Sequence, residues 1–252
     1  MFCYPSQNKF GFTYNYCNSF FDLNSLNTSQ RMRENVYHDF LFNCTHFLRY
    51  QLNMKEDIAS VVAKTLLNRM LSNELHYHTP IHILSIFLFA QYHVIDLEPW
   101  ERLAIWFHDA IYDSAAKSGM NEAQSSAFMR AVLPDGHDVT NPMINHAAKA
   151  IFSTGDHQIA DVDKKFHLIM DLDMCNFAWE ASGYMACSES ILKEFVPKVM
   201  TKRAFFNARR RYVDNMLKKG SFYRTNFFKE RFESNVKSNL SLVMMKDNNE
   251  ES

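Results

Sequence analysis

The stretch Pro99–Tyr112 reads PWERLAIWFHDAIY, and its apolar side chains decide the fold class. Trp100, Leu103, Ala104, Phe107 and Ile111 recur at i, i+3, i+4, i+7 and i+11, the spacing that lines one face of an α-helix. The pattern predicts a core helix reaching about Tyr112 that carries His108 and Asp109. Neighbouring helical side chains point about 100° apart, so this pair can converge on one point only in a crevice where other helices bring further groups.

Working outward, Thr79-Pro80 is a helix start, because Thr is a good N-cap and Pro is pre-organised for the first helical position. A helix is expected from Pro80 to about Tyr92, with His82 in its first turn. From Arg33 onward, apolar stripes such as Phe40, Phe47 and Leu48, then Ile58, Val61, Val62 and Leu66, keep helical spacing. Further helices are expected over residues 121–133, 142–153, 164–177, 188–219 and 227–244. Residues 1–30 lack that period and are expected to form an irregular extension, followed by one helical domain over 31–246 and a polar tail over 247–252.

Composition narrows the function. With 252 residues, 47% hydrophobic and 22% charged, the chain can bury a full core and is neither disordered nor fibrous. Only 6 Gly and 6 Pro disfavour a many-turned sandwich or barrel, so an all-α fold is expected. The five cysteines are scattered and never form CxxC, which argues against a disulfide framework or a cysteine-based zinc site and fits a cytoplasmic protein. The most apolar stretch, residues 81–97, is interrupted by His82, Gln91, His93 and Asp96, so no membrane span is expected. Net charge is −1, yet between Lys198 and Lys246 13 Lys+Arg stand against 3 Asp+Glu. Such a segment can attract phosphates, although a solvated helical face is the more common account of one, and no specific nucleic-acid partner is indicated.

Chemistry concentrates in YHTPIH (77–82), WFHDAIYD (106–113) and DLDM (171–174). Imidazoles with carboxylates suit a Lewis-acidic divalent ion that activates water. Taken singly, each piece is weak, since a lone histidine in an apolar helix is more often a hydrogen-bonded core residue. Together, the order His, His-Asp, Asp on successive helices resembles the HD superfamily of metal-dependent phosphohydrolases. Within it the chain is most similar to a bacterial and phage group with YHTxxH and WFHDxxYD signatures. That likeness extends to Asn121-Glu122 with Ser125, Thr154 with His157, and FYRTNFF (222–228), covering about residues 33–244.

The resemblance implies an HD-type helical bundle with a metal site between core helices, and hydrolysis of a nucleotide or related small phosphate ester. A more distant likeness to cyclic nucleotide phosphodiesterases implies His82, His108, Asp109 and Asp173 as metal ligands, with Asp171 as the alternative to Asp173. It further implies His78 as proton donor to the leaving oxygen, against a surface or capping histidine. Asn121 and Glu122 are either substrate or bridging-water contacts, with Glu122 in a catalytic role, or the start of a helix. His157 matches a family position and could meet a phosphate or second metal. Arg224, and Arg209, Arg210 and Arg211, could grip a phosphate bidentately. The ion could be Mn, Mg, Co, Ni, Zn or Fe. Two other functions remain open: a di-iron oxygenase, which would draw on His137, His146 and His157, and a non-catalytic nucleotide-sensing module.

Overall fold

The computed structural model describes residues 30–71, 74–136, 138, 140–155, 157, 162–218 and 220–251. The expected N-terminal extension and His137 lie outside the described residues, save residue 30. Among those described, regular structure is entirely helical. The chain groups into two compact units, Met1–Asp156 and His157–Ser252.

The first unit contains α1 (Gln30–Tyr50), α2 (Glu56–Met70), α3 (Pro80–Tyr92), α4 (Pro99–Phe107), α5 (Met120–Val132) and α6 (Pro142–Thr154). Three of them start with Pro at the first position, where the missing N–H costs nothing. Asn141 caps α6 with its side-chain oxygen, accepting from the Met143 and Ile144 amides at 3.1 and 3.3 Å. Thr79 occupies the N-cap position of α3, but its hydroxyl makes no capping bond. Helix α3 packs against α1 and α4, and α4 against α5 and α6. Ten of the thirteen α3 residues are buried, on every side of the helix. Trp106 anchors the core, edge-on to Phe40 at 5.0 Å and tilted against Phe87 at 4.8 Å between ring centres.

Helix α4 ends at Phe107 and does not reach Tyr112 as the apolar spacing predicts. The chain tightens there, with the Ala110 amide bonding to the Phe107 carbonyl. The backbone of Ile111 then turns to the Ser125 hydroxyl, which accepts from its N–H at 3.0 Å and donates to its carbonyl at 3.1 Å. His108 and Asp109 therefore lie at the C-terminal end of α4, where the unpaired carbonyls carry partial negative charge.

The second unit holds a 3-10 turn (Lys164–Phe166), α7 (His167–Asp173), a second 3-10 turn (Cys175–Ala178), α8 (Ala181–Phe195), α9 (Lys202–Lys218) and α10 (Asn226–Glu251). The single helix expected over 164–177 is thus three short pieces. The one expected over 188–219 is two helices, interrupted around Pro197, whose ring and missing N–H disfavour a helix interior. Phe228, Phe232, Val236, Leu240 and Val243 form the buried stripe of α10, which packs on α8, α9 and the 175–178 turn. The buried Asn239 amide donates to the Phe177 and Trp179 carbonyls at 3.0 and 2.9 Å, holding that turn to α10. Asp247, placed in the tail by the sequence reading, is fully buried in an ion pair with Arg209. No helix among the described residues is long and apolar enough to cross a membrane.

Candidate metal centre

In the first unit α3 delivers His82 from its first turn, and the end of α4 delivers His108 and Asp109. The Nε2 atoms of His82 and His108 are 3.2 Å apart. Asp109 Oδ2 stands 3.1 Å from His108 Nε2 and 3.5 Å from His82 Nε2. Both imidazoles are buried, and the Asp109 side chain is 12% exposed.

The hydrogen-bonding pattern says what such a triangle needs. His108 Nδ1 lies 2.9 Å from the Ile105 carbonyl, which can only accept, so Nδ1 carries the proton. In the neutral ring Nε2 is then a lone pair facing a carboxylate oxygen and a second imidazole nitrogen. Only a proton or a cation between them makes that arrangement favourable. Donors bound at about 2.1 Å to one ion stand roughly 3.0–3.4 Å apart, close to the observed edges. The three residues could therefore hold a metal ion.

Electrostatics favour the ionised carboxylate that binding requires. Burial by itself would raise the pKa of Asp109. Interaction with protonated imidazoles at His108, His78 and His82 outweighs it and holds the carboxyl below its ordinary value, and a bound cation would act in the same direction. His78 therefore lies near enough to act on the Asp109 carboxyl without belonging to the triangle.

The other predicted residues of this unit divide in role. The Asn121 amide clasps the backbone of Asp113, accepting from its N–H at 3.0 Å and donating to its carbonyl at 3.1 Å. It serves the loop after the HD pair. Glu122, in the first turn of α5, lies against Gly155, where a Cβ would approach its Cδ to 2.7 Å. Its Oε2 is buried and has no hydrogen-bond partner among the described residues. His146 sits edge-on to Trp100 and does not join the group of donors. Thr154 spends its hydroxyl on the Ile151 carbonyl of its own helix.

In the second unit the two candidate aspartates of α7 differ sharply. Asp171, 2% exposed, accepts from the Arg224 amide at 2.8 Å, the Thr225 amide at 2.7 Å and the Thr225 hydroxyl at 2.7 Å. With both oxygens it holds the two residues that lead into α10. Burial raises its pKa, and those hydrogen bonds offset the effect only in part. Asp173, two residues on, pairs its Oδ2 with His157 Nε2 at 3.0 Å. Arg224 Nη2 donates to the His157 carbonyl at 3.0 Å, and both residues line a small cavity with Phe222 and Tyr223. Arg209 is committed elsewhere, to Asp247 through two nitrogens and to the Ser188 hydroxyl at 2.6 Å. The phosphate grip that the sequence offered for it is thus replaced by a structural one.

The sequence reading quoted Ser125, Thr225 and Tyr112 within motifs but gave them no role. Thr225 holds Asp171, Tyr112 touches His78, and Ser125 holds the Ile111 backbone beside Tyr112, and their place inside those motifs was the available signal. No protein-family model, curated protein or solved structure matches the chain.

Proposed function

We propose that this protein is a metal-dependent hydrolase of phosphate esters, acting on a nucleotide or a related small phosphate ester. The observation that carries the reading is the triangle of His82, His108 and Asp109, whose lone pairs face one another at coordination-shell spacing. The fourth ligand on this reading is Asp173, taken from the order His, His-Asp, Asp along the chain. Its support is that Asp171 already spends both oxygens on the two residues that lead into α10. A divalent ion there would neutralise phosphoryl oxygens and acidify a water, and Mn, Mg, Co, Ni, Zn or Fe would suit the donors.

The protein's own groups supply the rest. His78, half-buried and within electrostatic reach of Asp109, donates a proton to the departing oxygen. The ionised Asp109 would supply the anionic donor of the centre. His157 steadies the Asp173 carboxylate, as outer partners of ligands commonly do. Glu122, with its orphaned oxygen, is the group available to accept a hydrogen bond from a bound water.

The test is phosphate release from nucleoside mono-, di-, tri- and cyclic phosphates with Mn, Mg, Co or Ni, comparing wild type with Asp109→Ala. Metal-dependent release that vanishes in the variant is expected. Silence across the panel in a protein with metal bound would sink the reading, and two tightly held irons would favour an oxygenase.

A further inference from the structure

Resting on the proposed role of His78, we infer that Tyr112 is a positioning residue that sets the plane of the His78 ring. The two rings are stacked at 3.5 Å between centres and 15° between planes. Tyr77 closes a second side, edge-on to His78 at 4.8 Å, and the His82 ring stands at 6.0 Å with a 74° interplanar angle. An imidazole has broad freedom about its terminal torsion, so a group that must present one nitrogen to a leaving oxygen needs packing to fix its plane. The Tyr112 face supplies that constraint.

Tyr112 is itself held from both flanks. The Ser125 hydroxyl grips the backbone N–H and carbonyl of Ile111, and the Asn121 amide grips those of Asp113. Three consecutive residues are thus strapped to α5 with the aromatic side chain in the middle. One chain of contacts joins Tyr112, Asn121 and Ser125, and it ends on His78.

Two measurements test this. In protein labelled at histidine Cε1, the His78 resonance, assigned with His78→Gln, is expected to be shielded by the tyrosine ring. Shielding should persist in Tyr112→Phe and vanish in Tyr112→Leu. A resonance unmoved by Tyr112→Leu overturns the inference whether or not the protein is an enzyme. With Mn, turnover of phenyl phosphate is compared with that of p-nitrophenyl phosphate, whose better leaving group needs less acid help. His78→Ala should lose about a hundredfold or more on phenyl phosphate and much less on p-nitrophenyl phosphate. Tyr112→Leu should show the same selectivity at about tenfold, Tyr112→Phe should restore it, and Tyr112→Leu in a His78→Ala background should add nothing further. Additive losses would mean that Tyr112 acts independently of His78 and would overturn the inference. Equal activity of His78→Ala and wild type on phenyl phosphate, or no turnover by the wild type, would instead remove the acid role on which it rests.

Discussion

Asp171 and Asp173 are chemically identical and two residues apart, yet the structure predicts opposite consequences for their removal. Asp171→Ala deletes the acceptor for two backbone N–H groups at the start of α10 and for the Thr225 hydroxyl. Each buried donor left unsatisfied costs about 1–3 kcal/mol. The hydroxyl can rotate and the flanking residues are only half-buried, so the sum falls at about 3–4 kcal/mol. With a urea m-value of about 2–3 kcal/mol/M, the unfolding midpoint should drop by roughly 1–2 M. Asp173→Ala removes the contact to His157 and should lower the midpoint by less than Asp171→Ala does while weakening metal affinity at least tenfold. Urea unfolding followed by circular dichroism, with isothermal titration of Mn, reads both quantities. A stable Asp171→Ala protein that no longer binds metal would refute the assignment and make Asp171 the ligand.

Adding a divalent ion at a hundred times its dissociation constant should stabilise the protein by about 2.7 kcal/mol, raising the melting temperature roughly 5–10 °C. Asp109→Ala should abolish that shift in a thermal scan. Glu101 is 6% exposed, and burial lifts its carboxyl from an ordinary 4.5 to about 7. Between those values the folded protein keeps a proton that the unfolded chain releases, so stability is lost as pH rises through this window, by up to about 3 kcal/mol. Glu101→Gln should flatten the difference between urea midpoints at pH 5 and pH 7.5, and an unchanged slope would show that Glu101 titrates normally. Trp106→Ala should cost about 3–5 kcal/mol, read from the same midpoints, because the fully buried indole fills the space between Phe40 and Phe87.

Helix existence in the first unit was legible from the apolar spacing and, at Thr79-Pro80, from a local start rule that tertiary contacts rarely override. The end of α4 was not. Ile111 continues the apolar period, but its backbone is claimed by Ser125, 14 residues on, and no local pattern reports that competition. The break between α8 and α9 had a visible signal in Pro197, against an amphipathic pattern that runs across it. Candidate ligands in the first unit were readable as His82, His108 and Asp109 because the residue types announce their chemistry. The division of labour between Asp171 and Asp173 was not, since it is made by partners more than 50 residues away. Arg209 shows the same limit, as a basic side chain reads as surface charge until its buried partner Asp247 is placed.

From His82 to Ala90 helix α3 is buried around its whole circumference, and this has a consequence for how the candidate centre breathes. Amide protons on a helix immersed on every side exchange with solvent only when the surrounding unit opens, so the α3 amides should report the global stability of that unit. The turn after Phe107 is secured by a few side-chain bonds from α5 and should exchange through local, more frequent openings. His82 therefore rides on a slowly opening anchor, while His108 and Asp109 ride on a faster edge. An arriving ion would slow exchange mainly at that edge, and deuterium uptake around residues 108–113 would register its arrival before any change in α3.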